Sequence, residues 1–88
     1  MTQLSVEAVS VLRILFRFRG RQASGDELME RIFATTSETP LDAPKVCAAV
    51  RELAARGLVD IDPRGKPDPG YDFALVGITD TGREYLTG

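Results

Sequence analysis

Residues 40 to 61, PLDAPKVCAAVRELAARGLVDI, contain a helix with clear start and stop signals, followed directly by a strand. Asp42 is typical of an N-cap, because its carboxylate can accept hydrogen bonds from the free N–H groups of the first turn. Pro44 falls in that first turn, where its missing N–H does no harm. Gly57 follows the last turn, where a residue in the left-handed conformation is usually glycine. This stretch therefore predicts a helix from about residue 43 to 56.

Two amphipathic helices are predicted before this stretch. Residues 5 to 19 have helical periodicity, with Ser5 placed to cap the start and Gly20 placed to end it. The sequence SGDE at 24–27 is a capping box, in which the serine hydroxyl and the glutamate carboxylate each satisfy a free backbone N–H. A second helix should therefore begin there. The polar residues 21 to 24 that separate the two helices can form a minimal strand.

After the third helix the periodicity changes from helical to alternating. Residues 58 to 62 and 71 to 78 are predicted as two strands. The segment 63–70, PRGKPDPG, has three prolines and two glycines in eight residues, which excludes a helix or a central strand. A hairpin with an extended tip is the natural interpretation. Thr79 is placed to cap a short last helix, TDTGREYL, whose Tyr85 and Leu86 are expected to return to the core.

The predicted order is three helices, two strands and a short helix. This is the α+β arrangement of a winged helix-turn-helix fold, with a three-helix core, a two-stranded β-hairpin wing and a short C-terminal helix. The recognition helix is then about residues 43–56, and the wing is 58–78. At 88 residues, the chain is expected to form one domain spanning 1–88.

The composition excludes several kinds of site. The chain has no histidine and a single cysteine, Cys47, so a disulfide framework within the chain and a zinc site with several Cys or His ligands are both excluded. There is no Ser or Cys with an adjacent base and no phosphate loop, so we expect neither an enzyme nor a cofactor. Cys47 is interpreted as a small buried residue, with a redox-sensing thiol as the alternative. The single cysteine favours a cytoplasmic protein, and no apolar run is long enough for a membrane span.

The apolar arc of the first helix is wider than one core requires. One face holds Ala8, Leu12, Leu15 and Phe16, and three further residues extend the arc: Val11, Ile14 and Phe18. Two interpretations are open. Either the strands of the fold cover the extra surface, or these three side chains contact a second copy in a homodimer, since exposed apolar patches tend to be interfaces.

Three features in order resemble one family of transcriptional regulators. They are KVCAAVRELAARGLVDID at 45–62, the long proline-containing link between the second and third helices, and YDFALVGITDTGREYL at 71–86. The last is similar to the Tyr-x-Leu-Thr-x-x-Gly-Arg pattern of PadR-type regulators, which belong to the wider winged-helix group that includes MarR-type proteins. Where that family usually has an aromatic residue in the recognition helix, this chain has Cys47. The resemblance covers residues 24 to 86 and implies binding to duplex DNA as a dimer.

A DNA-binding role assigns candidate residues on the recognition helix and the wing. Lys45 and Arg51 would meet phosphates or a guanine edge, and the small side chain of Ala48 would let the helix approach the groove closely. Arg64 and Lys66 at the wing tip would meet phosphates. Each of these four cations is also compatible with a solvated surface charge.

The charge balance limits how strongly one copy could bind DNA. The formal net charge is −2, and the sequence pI is about 5.0. Residues 42–57 carry three cations and two acids, whereas 58–88 carry three cations and six acids. Because these cations would neutralise only a few phosphates, we expect that a dimer is needed for firm DNA binding. The alternative function is a winged-helix protein–protein interaction module without direct DNA binding, since fold does not fix function.

Overall fold

A computed structural model describes residues 4–19, 21–35, 42–62 and 64–87. The predicted stop at Gly20 and the proline-containing link of residues 36–41 lie outside these ranges. Within them, the elements in chain order are α1 (Val6–Arg17), α2 (Gly25–Thr35), α3 (Ala43–Ala55), β1 (Val59–Asp62), β2 (Leu75–Ile78) and α4 (Asp80–Thr87). This order confirms the predicted α+β winged helix-turn-helix class.

Helix α3 begins and ends as its sequence predicts. The Asp42 carboxylate accepts a hydrogen bond from the Lys45 N–H at 3.0 Å. At the other end, Gly57 has φ of 73°. Its N–H donates to the Ala54 carbonyl at 3.0 Å, and the next N–H, of Leu58, donates to the Leu53 carbonyl at 3.0 Å. This pair of bonds is a Schellman motif, which satisfies the last carbonyls of the helix and turns the chain into β1.

The starts of α1 and α2 also follow their capping signals. The Ser5 hydroxyl accepts from the Ala8 N–H at 3.2 Å. In the capping box, the Ser24 N–H donates to the Glu27 carboxylate at 3.2 Å, and the Glu27 N–H donates to the Ser24 hydroxyl at 3.3 Å. Each cap satisfies backbone donors that the first helical turn leaves without a partner.

The two strands pair antiparallel, with Val59 opposite Ile78 and Asp62 opposite Leu75. Ala23 joins β2 as the predicted minimal strand, through hydrogen bonds to Val76 of 2.8 and 2.9 Å. Strand β2 is shorter than the predicted span 71–78. Residues 71–74 lie outside the ladder, because β1 ends at Asp62, the residue that pairs with Leu75. The aromatic rings at 71 and 73 pack edge to face, with their centroids 5.7 Å apart.

Helix α1 lies at the centre of the core and packs against α2, α3, α4 and β2. The side chains proposed to meet a second copy are buried within the chain: Val11 is 0%, Ile14 6% and Phe18 7% exposed. The expectation that they form an exposed dimer contact is therefore wrong, because this fold already uses them in its own core. The guanidinium groups of Arg21 and Arg31 lie 5.8 and 5.6 Å from the centre of the Phe18 ring and help to cover it.

Two expectations about apolar side chains near the surface are corrected. Phe16, predicted to face the core with Leu12, is 38% exposed, and Tyr85 is 48% exposed. Leu86 packs against the core as expected. The three residues that extend the apolar arc of α1 are thus buried, whereas Phe16 on its main apolar face is exposed. None of the helices described is both long enough and apolar enough to span a membrane.

Helix α4 is held against the start of the wing by two hydrogen bonds of Thr79 and by close packing at Gly82. The Thr79 hydroxyl donates to the Gly57 carbonyl at 2.7 Å and accepts from the Gly82 N–H at 3.1 Å. A Cβ on Gly82 would overlap the Leu58 carbonyl oxygen and lie 2.8 Å from Cγ1 of Ile78. The glycine therefore lets α4 rest directly on the backbone where α3 turns into β1.

Candidate nucleic-acid interface

One face of α3 is exposed over its whole length. Lys45, Ala48, Arg51 and Ala55 are exposed on this face. The opposite face supplies five buried residues to the core: Val46, Cys47, Ala49, Val50 and Leu53. The division follows from helical periodicity, since residues three and four apart share a face. The structure therefore brings the three candidate residues of the recognition helix onto one accessible surface, which we call the α3 face.

The acid beside this face, Glu52, is turned toward α1. Its carboxylate accepts hydrogen bonds from the Ser5 N–H at 2.9 Å and from the Ser5 hydroxyl at 3.0 Å. An anion is stabilised at the N-terminus of a helix, where N–H groups point outward without intrahelical partners. Glu52 and Lys45 also line a depression of about 190 Å³ between α1 and α3. Glu52 thus fixes the N-terminus of α1 against α3.

Arg51 forms an ion pair with an acid from outside α3. Its Nη2 lies 2.6 Å from Oδ2 of Asp72, and the two side chains are 68% and 46% exposed. Asp72 belongs to the segment 68–72, through which the chain returns from the wing tip to β2. We call this segment the return arm. The sequence contained no signal for the pair, because its partners are far apart and the return arm was predicted partly as strand.

The return arm is anchored between α2 and α3. The Asp68 carboxylate accepts from the Asp26 N–H, at the start of α2, at 3.1 Å. The Gly70 carbonyl lies 3.8 Å from Sγ of Cys47. The ring of Tyr71 covers Gly25 so closely that a Cβ there would overlap it. The arm is therefore held alongside the first half of α3.

The environment of Cys47 favours the interpretation of a buried residue. Its side chain points from α3 into the core, and the return arm lies against it at Gly70. Burial raises the pKa of the thiol above its ordinary value, because desolvation disfavours the thiolate. The reactive form is therefore scarce at neutral pH, which argues against a redox-sensing thiol.

At the wing tip, the side chain of Arg64 folds back onto Asp62, the last residue of β1. Its N–H donates to the Asp62 carboxylate at 2.9 Å, and its Nε and Nη2 donate to the same carboxylate at 3.2 and 3.4 Å. The backbone and side-chain hydrogen bonds from Arg64 hold the pKa of Asp62 below its ordinary value, and the same contact raises the pKa of Arg64. The guanidinium stays accessible, since the side chain is 89% exposed.

The five candidate residues thus differ in their surroundings. Ala48 is exposed, and Arg51 and Arg64 are exposed but paired with Asp72 and Asp62. The two lysines, at 45 and 66, are exposed and form no ion pair with any residue in the part of the chain that the structure describes.

Two solved structures have the same fold as this chain. A MarR family regulator from Neisseria meningitidis matches with a TM-score of 0.64 and 23% identity, over 94% of this chain and 50% of that protein. A proposed transcriptional regulator from Thermoplasma acidophilum matches with a TM-score of 0.66 and 23% identity, over 93% of this chain and 77% of that one. The chain therefore spans half the length of the Neisseria protein. At this identity the likeness shows the winged-helix fold alone.

No family model matches the sequence, and no curated protein matches it. The winged-helix part of the predicted resemblance is confirmed by the two structures. The neighbour with a stated family is MarR-type, so a specific relation to PadR-type regulators remains a prediction.

Proposed function

We propose that this chain is a DNA-binding transcriptional regulator that places α3 in the major groove and the wing, residues 58–78, against the backbone. The observation that carries the proposal is the α3 face, which is exposed and combines small alanines with Lys45 and Arg51 on a winged-helix scaffold. A major groove about 12 Å wide admits an α-helix, and small side chains let its backbone come close. The regulator neighbours of the same fold support the proposal.

Each candidate residue has a distinct role in this proposal. Lys45, in the first turn of α3, contacts a phosphate at the edge of the groove. Ala48 sits where the helix comes closest to the bases. Arg51 contacts a phosphate or the O6 and N7 of a guanine. Arg64 and Lys66 contact phosphates from the wing.

We further propose that the protein binds DNA as a homodimer, because one copy presents few cations. The surface must differ from the one first expected, since Val11, Ile14 and Phe18 are buried. The surface we assign to the second copy is a groove of about 260 Å³ between α1 and α4. The exposed ring of Phe16 lines it together with Leu86, and its polar lining is Arg13, Arg17 and Thr87. Sedimentation at micromolar concentration tests whether the protein is a dimer, and a monomeric mass would refute the proposed homodimer.

The DNA-binding proposal is tested by titrating a fluorescent duplex with protein at several salt concentrations. Replacing Lys45 and Lys66 with glutamine should weaken binding and reduce the slope of log K against log salt. The expected reduction is about 0.9 for each lost phosphate contact, or about 1.8 per chain. The matched control replaces two arginines away from the assigned interface with glutamine, Arg19 in the turn after α1 and Arg83 on α4.

The control separates local contact from net charge. If the two double variants weaken binding equally, the effect is one of overall charge and the assigned interface is wrong. If the unmodified protein does not bind duplex DNA even at low salt, the protein–protein interaction module becomes the better proposal. That alternative is favoured by the ion pairs that already engage Arg51 and Arg64.

A further inference from the structure

We propose that Asp72 is a specificity-determining residue of the DNA interface. In the free protein its carboxylate pairs with Arg51, so DNA must compete with Asp72 for the arginine, and a DNA site that offers a better acceptor competes best. The inference rests on the proposed DNA-binding function and adds to it a residue that weakens binding to DNA in general. Discrimination of this kind works by disfavouring the wrong partners rather than by strengthening contacts to the right one.

The geometry of the pair places the competition at the surface. Nη2 of Arg51 lies 2.6 Å from Oδ2 of Asp72, a distance typical of a charge-assisted hydrogen bond. The two side chains are 68% and 46% exposed, so a phosphate or a base edge can reach the guanidinium without any change in the core. An exposed ion pair of this kind shifts an equilibrium by about 1.5- to 5-fold. This is enough to alter affinity and too little to prevent release of the arginine.

Asp72 itself is held in place by its neighbours along the chain. Tyr71 packs over Gly25, and Phe73, on the other side, is 2% exposed. The Asp68 carboxylate ties the start of the return arm to the first turn of α2. When DNA approaches, Arg51 can therefore change its partner, whereas the backbone of Asp72 stays beside the α3 face. Its negative charge then remains close to the phosphates of any duplex that docks there.

Two other acids close to the candidate cations, Glu52 and Asp62, do not pair with Arg51. Glu52 is directed at Ser5, and Asp62 pairs with Arg64, its near neighbour on the wing. Of the cations on the α3 face, Lys45 has no ion pair with a described residue. Asp72 is therefore the acid placed to decide when Arg51 becomes available.

The test measures binding to a random-sequence duplex and to a duplex selected in vitro with the unmodified protein. In Asp72→Asn, affinity for the random duplex should rise about 2- to 5-fold. The slope of log K against log salt should steepen by about 0.9, because one more cation meets phosphate. Affinity for the selected duplex should rise less, so the ratio of affinity for the selected duplex to affinity for the random duplex should fall. Asp72→Ala serves as a second variant, and thermal unfolding checks that each protein folds.

Two controls identify the cause of the change. Asp60→Asn removes the same charge from an exposed residue of β1 that has no ion pair with a described residue. It should change affinity less than Asp72→Asn. In an Arg51→Gln background, Asp72→Asn should have no effect beyond that of the Asp60 control, because the competing cation is gone.

The outcomes separate this inference from the function on which it rests. If the unmodified protein binds DNA and Asp72→Asn behaves like Asp60→Asn, the role of Asp72 is refuted and DNA binding stands. If the gain persists without Arg51, the competition is refuted in the same way. If none of the proteins, Asp72→Asn included, binds duplex DNA at low salt, the DNA-binding function itself is refuted.

Discussion

Replacing Gly82 with alanine should destabilise the protein, although alanine is the better helix former. Gly82 lies in the first turn of α4, where helix propensity alone would favour alanine by about 1 kcal/mol. A Cβ at this position would overlap the carbonyl oxygen of Leu58 and lie 2.8 Å from Cγ1 of Ile78. Two carbon atoms pack best at about 3.5–4.0 Å. Helix α4 would therefore have to move away from the start of β1.

The expected cost follows from the contacts at this junction. Overpacking of a buried contact costs about 1–3 kcal/mol. Moving α4 also stretches the bond from the Thr79 hydroxyl to the Gly57 carbonyl, now 2.7 Å, and a hydrogen bond of this kind contributes about 1 kcal/mol. After the gain in helix propensity, the net loss in the free energy of unfolding is about 2 kcal/mol. For a chain of this size the melting temperature should fall by about 8–16 °C.

Urea and thermal unfolding followed by circular dichroism measure this loss. Thr81→Ala is the matched control, because Thr81 is exposed in the same helical turn. It should leave the free energy of unfolding within about 0.5 kcal/mol. A Gly82→Ala protein that is as stable as the unmodified chain, or more stable, would refute the packing of α4 described above.

Three further predictions concern the cap of α1, the wing and the thiol. Ser5→Ala should lower the free energy of unfolding by about 1–2 kcal/mol in urea, since it removes the N-cap and one bond to Glu52; an unchanged midpoint would contradict this. In a carbon-13 NMR titration the pKa of Asp62 should lie below its ordinary value. The contribution of Asp62 to stability is full above the unfolded pKa of about 4 and is lost as pH falls through the folded pKa. Arg64→Gln should raise the folded pKa of Asp62 only in part, because the backbone N–H remains. An ordinary pKa in the unmodified protein would contradict the contact. Cys47 should react with a thiol reagent more slowly in the native protein than in urea, because burial raises the pKa of its thiol; equal rates would show that the thiol is accessible.

The fold could be predicted where its signals are local. Asp42 and Gly57 act through bonds to residues a few positions away, so their types and spacing were enough to place the ends of α3. Thr79 was placed correctly at the start of α4 for the same reason. The short strand at Ala23 could be suggested from its polar setting, although its pairing with Val76 could not.

The site could be predicted only in outline, because its decisive contacts are not local. Glu52 accepts hydrogen bonds from Ser5, 47 positions away, because the fold brings the N-terminus of α1 beside α3. Arg51 was expected to be available, and it pairs with Asp72, whose position depends on two aromatic rings that turn inward. Helical periodicity also could not show that Phe18 is covered, since the covering groups come from later in the chain.

The most direct test of the central claim is an NMR titration of the nitrogen-15-labelled protein with a short duplex at low salt. If α3 and the wing contact DNA, the amide signals of Lys45, Ala48 and Arg51 should shift, together with those of Arg64 and Lys66. The signals of Glu84 and Tyr85 on α4 should stay in place. Shifts confined to α1 and α4, or no shifts at all, would contradict the claim that this face binds DNA.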